Sequence, residues 1–151
     1  MTVHISLDVG KVRVGVALCD ASGSVARPHG TFLRAQGAAE KQILELIENE
    51  QVEKILLGLP LDSHGNQTEQ CDDIARFARR LSRRTALPLI FVDEYLSSER
   101  AKHRLELKGS PPQEVRKKGV IDAQAASIIL QEYLDGILQE VAPPRVNRDS
   151  A

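Results

Sequence analysis

Three separate stretches of this chain carry acidic side chains at places where a folded domain could use them together. Asp8 stands near the end of an apolar run from Val3 to Val9, Asp93-Glu94 follows the aliphatic Leu89-Ile90-Phe91-Val92, and Asp122 heads an apolar segment. Hard cations such as Mg²⁺ and Mn²⁺ take oxygen ligands. Two of them held about 3.5–4 Å apart stabilise both the attacking water and the leaving oxygen of a phosphodiester. Acids drawn from distant parts of a chain are the constellation such hydrolysis needs. No Gly-rich phosphate loop, His-Glu-x-x-His zinc helix or Gly-x-Ser-x-Gly elbow competes for the role.

Each acid also has a bland reading. Between Val3 and Val9 the apolar residues alternate, so Val3, Ile5, Leu7 and Val9 share one face and His4, Ser6 and Asp8 the other. A two-residue turn at Gly10-Lys11 would set Asp8 opposite Arg13 and Ser6 opposite Gly15, with Ala17 on the same small-residue face. Asp8 would then cap the turn and pair with Arg13, or the small neighbours leave room for a helix or ligand. Asp93-Glu94 ends a central strand, at the sheet edge where sites of open α/β sheets lie. One of the two could instead cap the next helix, although Ser97 or Ser98 offers a better hydroxyl. Spacing does not choose between Asp93 and Glu94. Counting i+4, i+7 and i+11 from Asp122 reaches Ala126, Ile129 and Tyr133, so this acid heads an apolar stripe. Such a carboxylate is costly unless capped, paired or metal-bound. Ala123, Ala125 and Ala126 let that helix approach the small face beside Asp8, where two acids could meet.

The elements that must position these residues follow from periodicity. Val3–Val9, Val12–Cys19 and Ser24–Phe32 read as a three-strand meander. A helix over Gly37–Glu50 feeds a strand at Lys54–Leu59, and a helix near Gln67–Arg84 feeds a strand at Leu87–Val92. A helix near Ser97–Lys108, the breaker Gly109-Ser110-Pro111-Pro112 and a last helix over Val120–Leu138 follow. Strands alternating with helices imply parallel crossovers. The expected fold class is α/β: a mixed five-stranded sheet, three antiparallel strands then two parallel ones, with helices on both faces. That order matches the RNase H-like fold. Residues 1–140 are expected to form one domain and 141–151 a disordered tail.

Bulk properties narrow the partners. At 151 residues with 42% apolar content the chain fills one ordinary core. A formal charge of −1 means that attraction to phosphate must come from a local cluster. From Arg100 to Lys118 there are seven cations, Arg100, Lys102, Arg104, Lys108, Arg116, Lys117 and Lys118, against Glu106 and Glu114. This window could bring phosphate contacts to the acids, or be a solvated helix face followed by a loop. The arginines from Arg76 to Arg84 are explained by a helix dipole with Glu69, Asp72 and Asp73 at its other end. Cys19 and Cys71 have no paired spacing, and the N-terminus lacks a signal or membrane pattern, so reduced thiols and a cytoplasmic location are expected, with no membrane partner. With no Trp, two Tyr and three Phe, there is little material for stacking unpaired bases.

Four blocks in order closely resemble the YqgF family, also called RuvX, the pre-ribosomal RNA nucleases and Holliday junction resolvase-like proteins of bacteria. They are Leu7-Asp8-Val9-Gly10 with Arg13-Val14-Gly15-Val16-Ala17, Gly58-Leu59-Pro60 with Gly65, Asp93-Glu94, and Ile121-Asp122 with Ala125-Ala126 and Ile129-Leu130. The Asp-x-Gly strand end alone also resembles the phosphate loop of sugar kinases and actin-like ATPases, but 151 residues leave no room for the second domain a kinase closes over its nucleotide. The resemblance implies a catalytic, metal-binding trio of Asp8, Glu94 and Asp122, served by Mg²⁺ or Mn²⁺. It makes Arg13 a phosphate or site-organising residue, with Lys102, Arg104, Arg116, Lys117 and Lys118 as further nucleic-acid contacts. It implies a nuclease acting in maturation of the 5′ end of pre-16S rRNA. The alternatives are a Holliday junction resolvase or a non-catalytic nucleic-acid-binding module. The partner would be pre-rRNA or branched DNA, and the chain a monomer or a homodimer. Where the family pattern runs Asp-Glu-Arg-Leu-Thr-Thr, this chain has Asp93-Glu94-Tyr95-Leu96-Ser97-Ser98. Tyr95 removes a positive charge, which bears on substrate positioning more than on metal binding.

Overall fold

A computed structural model of the protein describes residues 2–94, 118–138 and 140–145. Period-two sequence forms β1 (His4–Val9), β2 (Arg13–Cys19) and β3 (Ala26–Leu33), an antiparallel meander. A short 3-10 turn then leads into α1 (Ala38–Glu50), which returns the chain to β4 (Lys54–Leu59), parallel to β1. The amphipathic helix α2 (Glu69–Ser82) makes the second crossover, to β5 (Leu89–Asp93), parallel to β4. After α3 (Lys118–Leu134), the two-residue β6 (Glu140–Val141) pairs antiparallel with β5.

The sheet order among the described residues is β3-β2-β1-β4-β5-β6. The expected five strands are therefore six. The extra strand is too short to carry a period, and it includes Val141, which the sequence placed in a tail. It forms because β5 would otherwise expose an edge of unpaired backbone groups.

The sheet separates two apolar layers. On one face Ile5, Leu7, Val9, Val14, Val16, Ile55, Leu57 and Leu59 pack with Ile43 of α1 and Ile74, Phe77 and Leu81 of α2. On the other, Ala17, Leu56 and Val92 receive Ala126, Ile129 and Leu130 of α3. The second layer is built of small residues on β1 and β2 and alanines on α3, so this helix sits close to the strands. All six residues of β1 are buried, as befits a central strand covered by helices on both sides.

The ends of the helices have identifiable causes. The Thr68 hydroxyl donates to the Pro60 carbonyl at 2.9 Å, tying the start of α2 to the loop after β4. α3 stops before the expected Leu138 because Gly136, at φ +76°, permits a Schellman ending. There the Gly136 N–H donates to Tyr133 at 3.1 Å and the Ile137 N–H to Glu132 at 2.8 Å. Among the described residues no helix is long and apolar enough to cross a membrane. Cys19 and Cys71 are both buried free thiols.

Candidate active site

Asp8 occupies the next-to-last position of β1, at the C-terminal edge of the central strands, with only 9% of its surface exposed. Its neighbour across the antiparallel ladder is Gly15. This corrects the expected pairing with Arg13. The hairpin closes through the Gly10 N–H donating to the Arg13 carbonyl at 2.9 Å, so the tip is Lys11-Val12 and not Gly10-Lys11. The shift is by two residues, which preserves the faces: Ser6 now lies opposite Ala17, and the surface beside Asp8 remains lined by small residues. On its other side β1 runs in parallel register with β4, where Leu7 pairs with Leu57; the following positions, Asp8 and Gly58, are therefore adjacent.

Both glycines beside Asp8 are covered by another acid's segment. A Cβ on Gly15 would collide with the backbone carbonyl of Asp122, so the first turns of α3 lie directly on the sheet there. A Cβ on Gly58 would stand 2.7 Å from Glu94 Oε2 and 2.9 Å from Ile129 Cδ1, so the Glu94 carboxylate occupies the space that Gly58 leaves. Glu94 is itself buried, and its N–H donates to the Leu59 carbonyl at 2.9 Å, which fixes the chain just beyond β5. Alternation along β5 puts Glu94 on the α3 face with Val92, and Asp93 on the opposite face. The choice that spacing left open thus has a geometric answer: Glu94, and not Asp93, shares a face with Asp8.

Arg13 Nε lies 3.8 Å from Asp122 Oδ2, an ion pair whose acid is largely shielded from solvent. Arg13 therefore bridges from the hairpin to α3. Lys102, Arg104, Arg116 and Lys117, with Tyr95 and the expected helix at Ser97–Lys108, lie outside the described residues; Lys118 is described only as the first position of α3.

Asp8 and Glu94 are buried on one face of the sheet, and the turn of α3 that carries Asp122 lies on Gly15 beside them; carboxylate oxygens are the donor type a hard divalent ion takes. Among the described residues, no group of three acidic, histidine or cysteine side chains stands together so as to hold a metal ion. Mg²⁺ is ordinarily held by one or two carboxylates together with waters and substrate phosphates and not by an all-protein cage. The side chains of Asp8, Glu94 and Asp122 are of the donor type such an ion takes.

Two features escaped sequence reasoning. The part played by Gly58 was hidden because Gly-Leu-Pro also marks the end of any strand. Arg34 was missed although it organises the hairpin tip: its Nη1 donates to the Gly10 carbonyl at 2.7 Å, and its guanidinium grips Asp73 of α2 at 2.6 and 3.1 Å. The only sequence signal was an arginine at the end of a strand. His4, by contrast, lies at the far end of the same face, buried against Tyr133 and beside Cys19 Sγ. Burial and the Lys54 ammonium lower its pKa against the opposing pull of Glu53.

This sheet order, with helices on both faces, defines an α/β protein of the RNase H-like class. Residues 2–136 match the family model described as "RuvX: Holliday junction resolvase". The chain belongs to the RuvX family. It is 41% identical over 140 residues to the protein of Syntrophus aciditrophicus (strain SB) named "Putative pre-16S rRNA nuclease", covering 92% of each chain. It is 39% identical over 132 residues to the protein of the same name from Synechococcus elongatus, covering 87% of each. Among solved structures it resembles Thermus thermophilus RuvC in complex with a Holliday junction substrate, with TM-score 0.54, 13% identity, and coverage of 93% of this chain and 100% of that one. It also resembles the Fowlpox virus resolvase bound to Holliday junction DNA, with TM-score 0.56, 9% identity, and coverage of 91% and 100%. At those identities the shared property is the fold.

Proposed function

We propose that this chain is a divalent-metal-dependent nuclease that hydrolyses a phosphodiester bond of precursor 16S rRNA, in maturation of its 5′ end. The observation that carries the proposal is the setting of Asp8 between Gly58, filled by the Glu94 carboxylate, and Gly15, covered by the turn of α3 that holds Asp122. The names of the relatives supply the substrate.

In this reading Asp8, Glu94 and Asp122 hold Mg²⁺ or Mn²⁺, which when bound supplies an activated water and neutralises charge on the reacting phosphate. The protein's own share is positional. The two glycines let the acids approach Asp8, and burial excludes bulk water, which strengthens each carboxylate's field. Arg13 holds Asp122 from one side and presents a cation at the same edge. Water oxygen bonds to phosphorus, the bond from phosphorus to the leaving nucleoside oxygen breaks, and that oxygen takes up a proton. The basic residues Lys102, Arg104, Arg116, Lys117 and Lys118 contribute phosphate contacts through their charge. A single active site suffices for trimming RNA, so a monomer can do this work, whereas paired cuts in a junction call for a dimer. A cytoplasmic setting suits the RNA substrate.

A second substrate is favoured by the family description, namely a four-way DNA junction. The deciding experiment incubates the purified protein with precursor rRNA and with synthetic junctions under matched Mn²⁺ and salt. Metal-dependent cleavage of the RNA at higher kcat/KM supports the proposal, and preference for the junction replaces the substrate. Salt-dependent binding without turnover of either would return the chain to a non-catalytic nucleic-acid-binding module.

A further inference from the structure

We propose that Arg34 is a positioning residue for this site, locking the β1–β2 hairpin so that Asp8 and Arg13, on its two arms, keep their places; this rests on the nuclease reading above. Arg34 follows β3 and reaches the hairpin by two routes. Its backbone N–H donates to the Val12 carbonyl at 2.9 Å, and its Nη1 donates to the Gly10 carbonyl at 2.7 Å. The same guanidinium forms a two-pronged pair with Asp73, and its carbon lies 5.3 Å from the centre of the Phe77 ring, one turn further along α2.

The hairpin needs such a hold. Lys11 is exposed and Val12 is 61% exposed, so the tip has almost no packing of its own. Beyond the tip, Arg13 is the residue that reaches Asp122, and before it the chain leads through Gly10 and Val9 to Asp8. A sway of the tip would therefore be transmitted to both sides of the site at once. Arg34 links the tip to α2, a helix seated in the main apolar core through Ile74, Phe77 and Leu81. Its own side chain is largely buried in this role. The hydrogen bonds from Arg34 hold the Asp73 carboxyl below the usual carboxylate range, against the opposing effect of burial, so the pair stays ionised under ordinary assay conditions.

Only a planar fork with several donors satisfies Gly10 and both oxygens of Asp73 together. Lysine offers a point charge without that geometry. Its hydrogen bonds to the hairpin are made to the Gly10 and Val12 carbonyls, so its effect on the acids is indirect.

The test uses the full chain carrying Arg34→Lys or Asp73→Asn, the second variant preserving shape while removing the charge pair. Each is assayed for metal-dependent cleavage and for amide hydrogen exchange at residues 10–13. The expected result is faster exchange at the tip and a kcat lower by about tenfold or more, with KM within about twofold, since misplacement by about 1 Å can cost a hundredfold in rate. Both variants should unfold cooperatively, so that the fall in kcat is read on folded protein. An unchanged kcat in both variants, or an unchanged exchange rate at the tip, overturns the positioning role while the nuclease reading stands. Absence of metal-dependent cleavage by the wild-type protein removes that reading and the positioning role of Arg34 with it.

Discussion

The carboxylate of Glu94 fills the place where a side chain at Gly58 would begin, with only 2.7 Å between Glu94 Oε2 and an ideal Cβ on that glycine. A carboxylate can swing aside, so Gly58→Ala should fold while displacing Glu94 and pressing on Ile129. The expected cost is about 1–3 kcal/mol in stability, the range for overpacking a core. Cleavage should fall by at least tenfold, since the displaced group is one of the trio. Denaturant melts and kcat measured together check this; wild-type activity in the alanine variant would mean that the place of Glu94 is immaterial.

Gly15 differs because its obstacle is backbone. The Asp122 carbonyl and the Ala123 nitrogen lie against it, and a helix cannot rotate away as a side chain can. Gly15→Ala should therefore destabilise more than Gly58→Ala, by about 3 kcal/mol or more. Urea midpoints of the two variants compare the sites directly, and a smaller shift for Gly15→Ala would show that α3 yields easily.

The two adjacent acids at the end of β5 should separate in function. Glu94 faces α3 and Asp8, whereas Asp93 faces the other side of the sheet. Glu94→Gln should lose about a hundredfold or more in kcat, in keeping with loss of a metal ligand, and Asp93→Asn should stay within a few fold of wild type. Parallel rate measurements decide it, and a reversed order would exchange the two assignments.

His4 provides a pH test. Its folded-state pKa lies below 6.5, chiefly through burial and secondly through Lys54, so the unfolded chain binds the proton more readily. Stability contributed by neutral His4 is intact above pH 6.5 and declines as pH falls from there towards the lowered folded value. Denaturant titrations at about pH 7.5 and about pH 5, to either side of the ordinary histidine pKa, should show the loss in wild type and a smaller one in His4→Gln. Equal losses would place the titrating group elsewhere.

Much of this arrangement was legible because burial leaves a periodic trace. The strand Lys54–Leu59 could be bounded from its aliphatic run, and the stripe through Ala126, Ile129 and Tyr133 correctly faced the sheet. The small residues Ser6, Gly15 and Ala17 marked the seat of α3, even with the hairpin register off by two, since a shift of two keeps every side chain on its face. What periodicity cannot carry was lost. Glu140–Val141 is too short to alternate, the end of α3 depended on the left-handed Gly136, and the hold of Arg34 on Gly10 and Asp73 joins residues far apart in sequence. The choice of Glu94 over Asp93 needed the family likeness in the sequence and became a matter of geometry only in the folded chain.

The most direct test is the rate of Mn²⁺-dependent cleavage of precursor rRNA by wild type and by Asp8→Asn, a nearly isosteric change that removes the charge at the centre of the group. Loss of a ligand should forfeit several kcal/mol of charge stabilisation, a fall of about a thousandfold or more in kcat. Cleavage by the asparagine variant at the wild-type rate would contradict the assignment of this site.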